Sequence, residues 1–78
     1  MKKGDTIWVV RGVYPTEAIF IKMDRYNKKE IICERKGYEY PVLKVNVFTN
    51  IYDAMKRVEE NLLELLEETQ MRLKAMES

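Results

Sequence analysis

The run from Ile51 to Met76 holds no glycine and no proline, and this uninterrupted stretch constrains the fold more than any other feature of the chain. Leu, Glu, Met, Lys and Arg dominate it, and these side chains lose little freedom in a helix. Ile51, Met55, Val58, Leu62, Leu65 or Leu66, Thr69, Leu73 and Met76 recur at spacings of three and four, which traces one apolar stripe along an α-helix. Glu59, Glu60, Glu64, Glu67 and Glu68 lie mainly off it. Asn50 is a good N-cap, and Asp53 stands where a capping box places its acid.

Length then decides something. Twenty-six helical residues run about 39 Å. A compact module made of the preceding residues has a diameter of about 25 Å by the domain scaling law, so the helix should outrun it by about 14 Å. The far portion, around Leu62 to Met76, is then a leucine-rich strip in water, and such strips mark interfaces. Pairing with a second copy is the simplest cover. The predicted self-association face is Met55, Val58, Leu62, Leu65, Leu66, Thr69, Leu73 and Met76. Thr69 is polar and the stripe drifts between Leu65 and Leu66, so helical pairing or a small bundle is expected rather than a long regular coiled coil. The alternative is a helix that bends near Asn61 and folds back.

The first half reads as short strands with turn punctuation. Thr6 to Val10 is β-branched and aromatic and follows the turn residues Lys3-Gly4-Asp5. Arg11 to Pro15 breaks the pattern, because Pro15 cannot donate to a central ladder. Ala18 to Met23 is the second strand. A polar turn follows from Asp24 to Lys29, with Asn27 expected to accept positive φ. Glu30 to Arg35 is the third strand, Lys36-Gly37 the next turn, and Tyr38 to Phe48 supplies one or two more strands interrupted near Pro41. Four or five short strands fit a small antiparallel SH3-like β-barrel over residues 1–49, with the helix over 50–78, one α+β domain in all. A bent open sheet is the alternative. Both faces of the first two strands are apolar, so both must be covered. The predicted outer face is Trp8, Val10 and Phe20, awaiting the helix or another chain.

Composition narrows the means of stabilisation. A chain of 78 residues buries a modest share of its surface. One cysteine, Cys33, and no histidine leave neither an internal disulfide nor a structural zinc site, so self-association is the remaining remedy. A lone thiol suits a reducing, cytoplasmic compartment. No targeting segment is expected, since Gly4 and Asp5 follow Met1-Lys2-Lys3 and no long apolar run does. Nor does any stretch approach the roughly 20 apolar residues of a membrane span. From Met1 to Thr49 ten basic residues meet six acidic ones, for +4, and from Asn50 onward four meet seven, for −3. A mildly basic module therefore carries an acidic helix.

Lys3-Gly4-Asp5-Thr6 with its apolar strand, and Val47-Phe48-Thr49-Asn50 ahead of the helix, resemble a pattern in small uncharacterised proteins of phages and Firmicutes. The opening Lys3-Gly4-Asp5-Thr6-Ile7-Trp8-Val9-Val10 is similar to their Gly-Asp-Thr plus apolar strand. A short β-barrel follows, and Val47-Phe48-Thr49-Asn50-Ile51-Tyr52-Asp53-Ala54 is similar to their junction into a helix. Phe48 and Ala54 fit that junction, Asn50 takes the place of the threonine cap, and Tyr52 stands where those proteins carry an acid. The resemblance implies an SH3-like barrel with a C-terminal helix, and a phage or mobile-element accessory protein acting inside its host.

Catalysis is poorly supplied. Without histidine the commonest general base is missing, the only serine is Ser78, and the three glycines are isolated. Glu59-Glu60 and Glu67-Glu68 read as solvated helix flank, and Cys33 as a small core residue. We expect no enzyme, no cofactor and no metal. The favoured function is a protein-interaction module that forms a homo-oligomer, with a dimer first, and that inhibits a host factor if phage-encoded. The alternative is nucleic-acid binding through the second hairpin, where Lys22, Arg25, Lys28, Lys29, Arg35 and Lys36 cluster with Tyr26 and Tyr38 interleaved. Acids at Asp24, Glu30, Glu34 and Glu39 dilute that patch, and phosphate binding draws on a denser one.

Overall fold

Each turn of the first half is made by its own residues. In the computed structural model, which describes residues 1–77, β1 (Thr6–Arg11) and β2 (Tyr14–Met23) meet at Gly12-Val13. Gly12 has φ +60 at the first central position, the backbone of a type II′ hairpin. The turn between β3 (Glu30–Arg35) and β4 (Tyr38–Leu43) is Lys36-Gly37, with φ +54 and +84, a type I′ pair. The longer connection from β2 to β3 is tied by side chains. Asp24 Oδ1 accepts from the Tyr26 and Asn27 N–H groups, and Asn27 Oδ1 accepts from Lys29 N–H. Asn27 therefore keeps negative φ, contrary to the sequence expectation, and the only non-glycine at positive φ is Lys36 among the described residues. A 3-10 turn (Lys44–Asn46) leads into β5 (Val47–Phe48), and α1 spans Ile51–Glu77. Ser78 lies outside the described residues.

Pro15 does not break the second strand. It sits inside β2 opposite Val10. The Phe20 N–H donates to the Asp5 carbonyl, on the β1 side, at 2.9 Å. Alternation turns the nitrogens of odd-numbered β2 residues away from β1. Pairing with β3 begins only at Ile19, so the missing N–H of residue 15 costs no ladder bond. Pro41 is tolerated for the same kind of reason, since β4 is an edge strand.

The sheet order is β4-β3-β2-β1-β5, antiparallel at every contact. Its two ends do not pair with each other, so the sheet is open and no barrel closes. It is nonetheless strongly curled. A bulge at Ile21 shifts the β2–β3 register and bends β2. The curl brings the Arg11 guanidinium of β1 to 5.1 Å from the ring centroid of Tyr40 in β4, with two strands between them in the order. The concave face holds the main core of Ile7, Val9, Ala18, Phe20, Ile31, Cys33 and Val42. Phe20 thus belongs to the inner core and not to the outer face. Ile7 stands opposite Ala18, which puts the even positions of β2 in phase with the odd positions of β1.

The convex face is covered by α1. Ala54 and Val58 pack on Val10, flanked by Trp8, Val13 and Phe48. Asn50 caps the helix as expected: its Oδ1 accepts the Asp53 N–H at 2.8 Å, and Asp53 Oδ2 accepts from Asn50 Nδ2 at 2.9 Å. The last tie to the sheet is Asn61, whose amide donates to the Gly12 carbonyl at 2.6 Å. Beyond it every residue from 62 to 77 is exposed. The free part is about 24 Å long, well over the 14 Å expected, because docking uses only the first three turns. The helix neither bends nor folds back, and the Cα radius of gyration is 15.7 Å, against about 11.5 Å for a compact domain of this length.

Candidate functional site

Two surfaces carry chemistry that the fold does not consume. The first is the free helix. Leu62, Leu65, Leu66, Leu73 and Met76 remain about half exposed or more, and Met55 joins them at 49% beside the docked segment. Thr69 interrupts the strip less than its type implies. Its hydroxyl donates to the Leu65 carbonyl at 2.8 Å, so the polar atom is satisfied within the helix. Val58 is a correction: predicted on the association face, it is buried against Val10 within the same chain. Trp8 and Val10 likewise face the chain's own helix, so the outer sheet face is occupied. Leu63 and Met71, outside the predicted face, are also exposed.

The second surface is the mouth of the curled sheet. Arg11, Thr16, Arg35, Tyr38 and Tyr40 continue the concave phase of their strands, as the pairs Val9↔Thr16, Arg35↔Tyr38 and Cys33↔Tyr40 establish. With Lys36 they line a hollow of about 470 Å³. The same pleat sends Glu17, Glu34 and Glu39 to the opposite face. None of Arg11, Arg35 and Lys36 forms an ion pair with a carboxylate of the described residues. Opposite Tyr40, on β3, Cys33 is fully buried in the core. Burial pushes its thiol pKa up from 9.0, outweighing the Tyr40 hydroxyl that bonds to it and the nearby Arg11 charge. Tyr40 is raised from 10.0 by burial and by that bond. Both groups stay neutral near pH 7, and Cys33 packs as a core residue.

The predicted basic patch divides. Arg35 and Lys36 belong to the mouth, while Lys28 and Lys29 lie at the opposite end of β3, beside Leu43, Lys44 and Val45. Arg25 and the exposed Tyr26 belong to the β2–β3 connection at that far end, and Lys22 follows the bulge. Tyr38, interleaved with the predicted patch, also belongs to the mouth, whereas Arg11, Thr16 and Tyr40 were not among the predicted contacts. Among the described residues no group of His, Cys, Asp or Glu could hold a metal ion, and no helix is long and apolar enough to cross a membrane. No family model matches the chain, and no curated protein or solved structure matches it either.

Proposed function

We propose that the protein is a non-enzymatic interaction module that self-associates through its C-terminal helix, presented by an opened SH3-like sheet and working in the cytoplasm. The observation that carries this reading is the apolar strip that continues, unpartnered, over the free 24 Å of α1. Six strip residues per chain, Met55, Leu62, Leu65, Leu66, Leu73 and Met76, each keep about half or more of their surface exposed. Burying the remainder is worth about 1 kcal/mol each, about 12 kcal/mol gross for a pair. Association costs about 4–15 kcal/mol, so the surplus supports a dimer of micromolar strength at best. The stripe is wider than a two-position seam, which favours broad helical pairing over a long coiled coil.

Sedimentation equilibrium from 1 to 200 μM tests the reading. The unmodified chain should shift from monomer to dimer across that range. Leu62→Glu/Leu66→Glu should remain monomeric with unchanged Trp8 fluorescence, because Trp8 reports the separate contact between helix and sheet. A chain that stays monomeric at 200 μM defeats the proposal.

A further inference from the structure

The mouth of the sheet lies on the opposite face from the helix, and its chemistry is unlike that of an ordinary solvated hairpin. Three cations and two tyrosines converge there, and no carboxylate lines the hollow. We propose that this hollow binds a nucleotide unit: a phosphate ester carrying a planar base, offered by a single-stranded nucleic acid or by a free nucleotide.

The argument has three parts. Charge comes first. Strand alternation sorts Arg11 and Arg35 to the concave face and Glu17, Glu34 and Glu39 to the convex one. The acids that dilute this region in the sequence are thereby removed from the site in space. Anion recognition by a pair of guanidinium groups needs that separation, since each can then direct its donors at phosphate oxygens.

Next come the aromatic faces. Tyr40 has the Arg11 guanidinium over its ring, 5.1 Å from the centroid, a cation–π contact that holds the cation at the mouth. Tyr38 sits in the type I′ turn register beside Arg35 and is 77% exposed. An aromatic ring left in water next to unpaired cations is a stacking platform for a base. A bare inorganic anion would need the cations alone; the tyrosines specify a planar partner as well. Size is the third part. A hollow of about 470 Å³ falls in the range of small-ligand sites and accommodates one nucleotide unit rather than a folded partner. Rigidity adds to this, because five of the six lining residues stand on paired strands.

Fluorescence anisotropy of a short dye-labelled oligothymidylate, with AMP, duplex DNA and an acidic peptide as competitors, tests the proposal on the full chain. Binding of the oligonucleotide, displaced by AMP, is expected. Tyr38→Ala should weaken it about tenfold, whereas Tyr38→Phe should leave it unchanged. Arg11→Ala and Arg35→Ala should each weaken it about tenfold and lower the slope of log affinity against log salt by about 0.7. Lys28→Ala/Lys29→Ala, at the far end of β3, should bind as the unmodified chain does. If the oligonucleotide does not bind but AMP, titrated directly by calorimetry, does, the free nucleotide is the source and the site stands. Failure of both probes at millimolar concentration overturns it. So does displacement by the acidic peptide in preference to AMP, or an equal loss in the Lys28/Lys29 variant.

Discussion

Replacing Val58 by alanine removes two methyl groups from the contact that fastens the helix to the sheet. Val58 is 5% exposed and packs with Ala54 on Val10, so both methyls leave a buried setting. At about 0.8 kcal/mol per buried carbon the transfer loss is about 1.6 kcal/mol. A cavity penalty adds little, because Trp8, Val13 and Phe48 at the rim are only half buried and can settle into the space. A loss of about 1.5–2 kcal/mol follows. Since α1 has so few other ties, the loss falls on helix docking before it reaches the sheet. Amide exchange over residues 51–61 should accelerate about 10–30-fold, and Trp8 emission should move to the red, while amides of β2 and β3 keep most of their protection. Exchange with mass-spectrometric readout, measured well below the dimerisation range, checks this. A change under about 0.3 kcal/mol, or an equal acceleration in β3, would show that docking does not run through this turn.

Two further outcomes follow from other parts of the fold. Lys36 holds φ +54, a conformation unfavourable for a residue with a Cβ, so Lys36→Asn should raise stability by about 0.5–1 kcal/mol in urea denaturation. The pH dependence has a definite sign. Cys33 and Tyr40 are raised from 9.0 and 10.0 in the folded chain. Above pH 9 the unfolded chain has therefore lost protons that the folded one retains, and stability falls as pH rises. Melting temperature should drop between pH 8 and 10.5, and Cys33→Ala, whatever it costs in packing, should flatten that slope.

The helix was legible because its information is local: the Asn50 cap, the absence of breakers and the stripe are all contained in one continuous segment. The Lys36-Gly37 turn was legible for the same reason, as its residues announce their own backbone. Register was not. Whether Phe20 faces in or out depends on which residue of β1 stands opposite, and that is fixed by a turn of two residues instead of five. Reading Pro15 as a breaker lengthened that turn and turned Phe20 outward. Closure of the sheet was likewise invisible, since it depends on how far a bulge at Ile21 bends β2. The mouth was missed because Arg11 and Tyr40 are far apart in sequence and meet only through the curl. One signal was present: Arg11 continues the phase of Ile7 and Val9, and Arg35 that of Ile31 and Cys33. Two core-facing strand phases that both end in arginine point at one opening.

The two-residue strand β5 has a kinetic consequence. The pairings β1–β2, β2–β3 and β3–β4 are all between neighbours in sequence, whereas Trp8 meets Phe48 across most of the folded half. Local hairpins close quickly and at small entropic cost, so the four-strand meander should form first. The return of β5 to β1, and the seating of Ala54 and Val58 that it makes possible, then comes after the rate-limiting barrier. Alterations at that seam should hasten unfolding and leave the folding rate nearly untouched, and a chain caught before this last step would expose Val10 and Trp8 together with the whole leucine strip. Docking of the helix therefore removes Val10 and Trp8 from the surface last and leaves the leucine strip exposed.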